Sequence, residues 1–339
     1  MQGPKVSFIV VNWNGTPHVF DCLDSIDQQT YPNFEIFVVD NASSDGSAEA
    51  LERRKNIQMI RNRENLGFGT ANNQAIGMSS GEFVAFVNND IVLDREWLAE
   101  MVAPLVDRPD VGSVAGKMLF YDRRERIDNT GHLLYWDGIN RGRGRMQEDH
   151  GQYDTKEDAL FPSGAACLFR RKALEQIGFF DEDFFLYGDD TELGLRARLA
   201  GWECAFAPKA VAYHRYSAST SAYDPMKYYY VERNRMWVVW KYFPWELVVL
   251  NPLFSGVRYL YHAIALMSGK GVSGEFARER SSLGLIGIWA RAQLSAWQRF
   301  FPFLRKRRDL VNKLGWNRKQ FYRCFLKHRL GLRELTFTP

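Results

Sequence analysis

The sequence predicts a doubly wound α/β domain, a mixed but mostly parallel sheet flanked by helices, continued by a helical C-terminal extension. Three observations carry this expectation. Short β-branched and aromatic runs alternate with amphipathic stretches through the first part of the chain. Polar motifs follow the runs, at the carboxyl ends of the strands where open α/β sheets bind ligands. From about Tyr228 the texture changes to Trp, Tyr, Phe and Arg on long helix-like segments. Residues 1–226 are therefore read as one α/β domain, with a division near residue 118, and residues 227–339 as a basic, aromatic-rich extension.

Val6–Val11, Phe34–Val39, Ile57–Ile60 and Phe83–Val87 read as buried strands, bounded by polar residues or glycine. Between them His18–Gln28, Ser47–Arg54, Gly69–Met78 and Asp94–Val106 carry apolar residues at helical spacing. Residues 120–160, rich in Arg, Gly and Asp, read as loops with a hairpin. Regular structure resumes at Ala165–Phe169, followed by helices at Arg171–Ile177 and Asp190–Ala200. Two short strands are expected at Glu203–Phe206 and Val211–His214.

Hydrophobic residues make up 46% and charged residues 25% of 339, proportions that allow a soluble domain with a real core. Cys22, Cys167, Cys204 and Cys324 are scattered, which suits a reducing compartment better than a disulfide framework. No basic start or cleavage site precedes the first strand, so a cytoplasmic protein is expected. Charge is uneven: residues 227–339 hold 21 Lys/Arg against 6 Asp/Glu, and residues 1–226 hold 23 against 34. An acidic half suits a metal site, and a basic half suits an anionic membrane surface. The most apolar stretch, Trp245–Ser268, contains Glu246, Asn251, Pro252, Arg258 and His262 and does not qualify as a membrane span. Leu285–Phe301, followed by Arg305-Lys306-Arg307-Arg308, better matches a surface-lying anchor.

Candidate chemistry sits at the strand ends. Asn88-Asn89-Asp90 follows the fourth strand and reads either as a metal and diphosphate site or as a turn before a helix. Asp40 ends the second strand; its carboxylate suits a nucleobase or ribose, or a turn. Asp45 reads as a helix cap. Asn12-Trp13-Asn14 follows the first strand, and Asn65-Leu66-Gly67-Phe68-Gly69-Thr70-Ala71-Asn72-Asn73 is a glycine-containing loop opening a helix. Asp189-Asp190 follow an aromatic run, which can raise one carboxyl's pKa toward the range of a general base or simply place acids at a helix start. His214, at a strand end, is a ligand candidate or a structural histidine.

Taken together, these segments resemble glycosyltransferase family 2, inverting enzymes of the GT-A fold, over roughly residues 5–240. The matching stretches are 6–15, 38–47, 65–73, 86–91, 161–166 and 185–196, in family order, and the likeness is greatest to bacterial rhamnosyltransferase-like members. The resemblance implies nucleotide-sugar binding over about 1–118 and an acceptor side over about 119–226. By it Asp40 contacts the nucleobase, and Asn12, Asn65 and Asn73 line the donor pocket with Asn14, Gly67 and Asn89. Asp90 and His214 would ligate Mn²⁺ or Mg²⁺, Asp190 would be the catalytic base, and Arg233 with Asn234 would touch the diphosphate. The expected partners are a dTDP- or UDP-linked sugar, a saccharide or lipid-linked acceptor and an anionic membrane, with no nucleic acid. Two departures stand out. Asn88-Asn89-Asp90 lacks the first carboxylate of the usual Asp-X-Asp, and the Gln-X-X-Arg-Trp signature of processive synthases is absent, which points to single-sugar transfer. Rival readings are a nucleotidyltransferase, a nucleic-acid-binding protein using the basic half, and an inactive scaffold.

Overall fold

The computed structural model describes residues 3–215, 224–267 and 282–337. Described residues within 1–132 and 142–221 form one compact unit, and those within 133–141 and 222–339 form a second. Residues 133–141, expected with the α/β part, thus pack in the second unit.

In the first unit the expected strands are β1 (Val6–Asn12), β2 (Phe34–Asp40), β3 (Gln58–Arg61) and β4 (Phe83–Asn88). β1 lies parallel between β2 and β4, and β3 extends β2. Val6, Phe8 and Val10 meet Leu23 and Ile26 of α1 (His18–Asp27), together with Trp97, Leu98 and Met101 of α4 (Trp97–Asp107). Ile9, Phe37 and Phe86, at the alternate positions, are buried as well. Strands covered on both faces explain why these runs are apolar at successive positions, with few polar interruptions such as Ser7 and Glu35. Helix α2 (Ser47–Leu51) stops short of Arg54, and α3 (Gly67–Met78) starts two residues early, ordinary differences at helix ends.

Past β4 the sheet turns mixed. It adds β5 (Ile91–Leu93), β6 (Val111–Phe120), β7 (Arg123–Asn129), β10 (Ala166–Arg170) and β11 (Glu203–His214). The strand order is β3-β2-β1-β4-β10-β6-β11-β5, with β7 beside β6. A separate pair is made by β8 (His132–Leu134) and β9 (Asn140–Gly142). Strand β6 was not expected, because Gly112, Ser113, Gly116 and Lys117 interrupt its apolar run, yet it is buried throughout. Lys117 is accommodated by Asp149 (3.0 Å) and Asp154 (2.6 Å), since a buried charge requires partners. β11 is one strand where two were expected. Pro208 and Lys209 fall in a register shift between Ala207 and Val211, a bulge that takes up a residue lacking an N–H.

Two details of register matter for the site. β11 runs on to pair Tyr213 with Val92 and His214 with Ile91. In β7 a bulge leaves Asp128 between Ile127, opposite Leu119, and Asn129, opposite Met118. Helix α5 (Arg171–Ile177), a 3-10 turn at Glu182–Phe184 and α6 (Asp189–Leu199) complete the unit.

The second unit contains α7 (Pro225–Tyr242), α8 (Trp245–Met267), α9 (Ser282–Gln298), α10 (Phe300–Leu314), α11 (Arg318–Lys327) and α12 (Leu332–Phe337). Asp224 caps α7 through Met226 N (2.7 Å), with Pro225 in the first turn where its missing N–H costs nothing. Trp237 stacks on Phe303 with centroids 4.5 Å apart. A buried ionic quartet ties the 133–141 excursion in. Arg258 Nε donates to Asp137 Oδ2 (2.6 Å) and Nη2 to Glu232 Oε1 (2.9 Å), while Arg235 Nε donates to Glu232 Oε2 (2.8 Å). Among the described residues no helix is long and apolar enough to cross a membrane; Ser268, the end of the expected apolar stretch, lies outside them. All four cysteines are buried free thiols.

Candidate active site

β1 and β2 end in register, with Asn12 opposite Asp40. Both side chains are wholly buried. Asp40 Oδ1 accepts from Asn12 Nδ2 (2.9 Å) and Ser43 Oγ (2.6 Å), and Oδ2 accepts from Ser43 N (3.1 Å). Asn12 Nδ2 also reaches Ser47 Oγ (2.9 Å), and Asn12 Oδ1 accepts from Asn89 Nδ2 (3.2 Å). Asn14, at a left-handed φ of 49°, accepts from Ser44 N (2.8 Å). The loops after β1, β2 and β4 are thereby stapled into one floor. Gly15 has to lack a side chain, because a Cβ would fall on Asn12 Oδ1 and Asn89 Nδ2. Asp45 has a turn role: burial opposes its charge, but hydrogen bonds from Ser47 and Thr16 hold its pKa at about 2.

The glycine loop joins this floor to the acidic helix. Asn65 Oδ1 accepts from Gly67 N (2.9 Å), and Asn41 Nδ2 donates to Gly67 O (3.1 Å). Phe68 N donates to Phe185 O (2.7 Å). Asn73 clamps the backbone of Phe180 reciprocally, at 3.0 Å in each direction, so its amide serves the segment before α6.

Asp90 occupies the turn between β4 and β5. Its Oδ1 is buried without a hydrogen-bond partner, while Oδ2 faces His214 Nε2 at 3.5 Å. His214 Nδ1 meets Asp128 Oδ2 at 2.7 Å, and Arg145 pairs with the other Asp128 oxygen. Burial disfavours a charged His214, but Asp90 and the Asp128 bond outweigh it and raise its pKa to about 10. Burial also opposes charge on Asp128, and Arg145 with His214 brings its pKa down to about 2. A carboxylate behind the far nitrogen of a histidine is the usual support of a metal-ligating imidazole. Among the described residues no group of three or more His, Cys, Asp or Glu is arranged to hold a metal unaided. The donors present fit a hard divalent ion that completes its shell with phosphate oxygens and water: an orphaned carboxylate oxygen, and an oriented imidazole that would give up its Nε2 proton as the cation takes its place.

Asp190 lies in the first turn of α6, after Gly188 at φ 77°. Its Oδ1 accepts from Thr191 N (2.7 Å); its Oδ2 accepts from Gly164 N (3.2 Å) and lies 3.7 Å from His132 Nε2. His132 stacks on Phe161 and contacts Asn129 Nδ2 at 3.1 Å. Asn88 N donates to Ala165 O (2.8 Å), which links the Asp190 and Asp90 turns through the 161–165 segment. Burial, and then the neighbouring Asp190 carboxylate, raise the pKa of Asp189 well above the usual range. Burial thus acts on Asp189, the more buried of the two. Asp128 and His132 were missed by sequence reasoning because both lie in the stretch assigned to loops. The only signal was a cluster of Asp, Asn, Thr and His after Ile127.

Arg233 belongs to the second unit, where its guanidinium sits 4.1 Å over the Trp237 ring and its Nε donates to Asn234 Oδ1 (2.8 Å).

This mixed, curled sheet with amides and carboxylates massed at its strand ends defines a transferase domain of the GT-A fold. S. aureus TarS 1–349 in complex with UDP matches at a TM-score of 0.52 and 19% identity, over 94% of this chain and 91% of that one. The mannosyltransferase PcManGT from Pyrobaculum calidifontis, in complex with GDP-Man and Mn²⁺, matches at 0.50 and 20% identity, over 91% and 85%. The family described as glycosyltransferase like family 2 matches residues 4–238, and the chain belongs to glycosyltransferase family 2. Relatives include the O-antigen biosynthesis protein RfbC of Myxococcus xanthus, 32% identical over 65% of this chain and 18% of its own length. The N-acetylglucosaminyl-diphospho-decaprenol L-rhamnosyltransferase of Mycobacterium tuberculosis is 29% identical over 64% of this chain and 78% of its own. The match spans only 18% of the length of RfbC and 26% of that of the protein y4gI of Sinorhizobium fredii, which is 31% identical over 66% of this chain.

Proposed function

We propose that this chain is an inverting, non-processive glycosyltransferase of bacterial surface-polysaccharide synthesis. In this reading it moves one sugar, rhamnose, from a dTDP- or UDP-linked donor to a saccharide or lipid-linked acceptor. The observation that carries the reading is Asp190 Oδ2, held by Gly164 N–H beside His132 at the strand ends that also bear the unpartnered Asp90 Oδ1. Asp190 takes the acceptor's proton as the acceptor oxygen bonds to the anomeric carbon from the face opposite the leaving group. The bond from that carbon to the diphosphate breaks, and its electron pair leaves with the nucleoside diphosphate. A single displacement inverts the centre. Asp189 is more deeply buried than Asp190, which leaves one accessible carboxylate and favours one displacement over two.

Mn²⁺ or Mg²⁺ held by Asp90 and His214 would neutralise the leaving diphosphate. Asp40 serves the nucleotide by fixing Asn12 and Ser43, because its oxygens are occupied and buried. Rhamnose and a lipid-linked acceptor rest on the name of the mycobacterial relative, and the basic second unit supports a place on the cytoplasmic face of an anionic membrane.

Asp190→Asn is expected to lower turnover at least ~10²-fold, the scale of general-base catalysis, with nucleotide affinity nearly intact. A variant retaining more than about a tenth of wild-type turnover removes Asp190 as the base. A thermal-shift series with UDP, dTDP, GDP and CMP tests the donor. At about 100 times its dissociation constant a ligand adds ~2.7 kcal/mol, and the shift is expected for one base, with Mn²⁺ and not with chelator. Equal shifts with and without chelator would remove the metal.

A further inference from the structure

We propose that the exposed face of α8 lies flat on an anionic lipid bilayer, seated in the headgroup–acyl boundary, with the segment 318–333 holding the lipid phosphates. This deepens the membrane placement above and rests on it. The orientation of α8 is the inverse of an ordinary surface helix. Trp245, Val249, Leu253, Leu260, Ile264 and Met267 are exposed, Val249 at 74% and Met267 at 80%. Their spacings of three, four and seven put them on one stripe of a 3.6-residue helix. Arg258, the helix's one Lys or Arg, falls on the opposite side and is buried against Asp137 and Glu232. Glu246, its one acid, is taken by Arg318 (2.7 Å) and Tyr322 (2.9 Å). A stripe this long, with no charged residue among its members, exceeds what solitary surface residues explain.

Charge identifies the occupant. Residues 318–333 carry Arg318, Lys319, Arg323, Lys327, Arg329 and Arg333 with no Asp or Glu, and all six are exposed. They flank the stripe: Arg318 reaches Glu246 beside Trp245, and Arg329 lines a cavity of about 400 Å³ with Leu253 and Phe254. A second copy docked on the same face would bring two basic rims together. An anionic lipid surface neutralises the rim while taking up the apolar stripe, the combination of an interfacial helix. The helix is not apolar enough to span.

The test is co-sedimentation of the full chain with phosphatidylcholine vesicles, with and without about 30% phosphatidylglycerol as the anionic component, at low and high salt. Wild type is expected to bind the anionic vesicles at least ~10-fold more tightly than the neutral ones. Val249→Glu with Leu260→Glu should cut that binding ~10-fold or more, while melting temperature and nucleotide-induced shift stay unchanged. Arg323→Glu with Lys327→Glu should weaken binding and flatten its salt dependence. If the folded Val249/Leu260 variant binds like wild type, the α8 face is wrong while the membrane placement stands. If wild type binds neither vesicle, both fall, and the transferase reading is untouched. A wild-type dimer in solution that this variant abolishes would assign the face to a second copy and overturn the proposal.

Discussion

Asp128 touches neither donor nor acceptor in the proposed chemistry, yet it sets what His214 can do. Its bond to His214 Nδ1 presents Nε2 toward Asp90, and Arg145 keeps it anionic. Asp128→Asn retains the shape but weakens the support. Metal affinity should fall 10–100-fold, the usual effect of losing such a partner. Mn²⁺ titration of the nucleotide-induced thermal shift measures it, and an unchanged midpoint would assign the pair a structural role. At the same scale Asp40 and Asn12 are fully buried and hydrogen-bonded to each other, so in the proposed chemistry they act by positioning the strand-end loops.

Among the elements, the approach to α6 carries the strain. Phe185 has φ 63° and ψ −59°, with Leu186 N donating to Phe184 O (2.7 Å), a γ-turn in a sparsely populated conformation. Tyr187 at φ 62° is a second such position. The turn is held from outside by Phe68 N on Phe185 O, and Gly67 permits that approach at φ +82°, where a Cβ would lie 2.5 Å from the same oxygen. Gly67→Ala should therefore destabilise by more than about 1 kcal/mol, beyond the usual gain from removing a glycine. Chemical denaturation measures the loss, and faster amide exchange across 184–190 should accompany it. A neutral substitution would mean the turn holds itself.

At the scale of whole packing units, the second unit is organised around charges out of water. Asp137, Glu232, Arg235 and Arg258 balance one another, and Arg235 also donates to Ser255 Oγ and to the Tyr259 hydroxyl. Removing one member leaves an uncompensated charge, so Asp137→Ala should cost about 3–5 kcal/mol by thermal or chemical denaturation. A loss under about 1 kcal/mol would show the site relaxing around water. Acid acts on the same network. Burial opposes charge on Glu232, but Arg235 and Arg258 bring its pKa to about 2, from an ordinary 4.5. Its folded value is depressed, so its contribution is complete above about pH 4.5 and disappears as pH falls toward 2. The melting temperature should drop across that window, and Glu232→Gln should flatten the drop.

What the sequence by itself determined was the parallel half of the sheet and the family. Val6–Val11, Phe34–Val39 and Phe83–Val87 are covered on both faces and therefore mostly apolar, with Ser7 and Glu35 the exceptions. The polar motifs at their ends, Asn12, Asp40 and Asp90, keep fixed positions relative to those runs. Strand β6 escaped notice because Lys117 finds its counter-charges at Asp149 and Asp154, far along the chain. Only the tertiary structure decided that His214 lies between Asp90 and Asp128, since this follows from the pairing of β11 with β5 and a bulge in β7. It likewise decided that Asp189 takes the raised pKa and that α8 turns Arg258 inward and its apolar stripe outward. Each of these depends on burial and register between residues distant in sequence, and no local pattern of side chains encodes that.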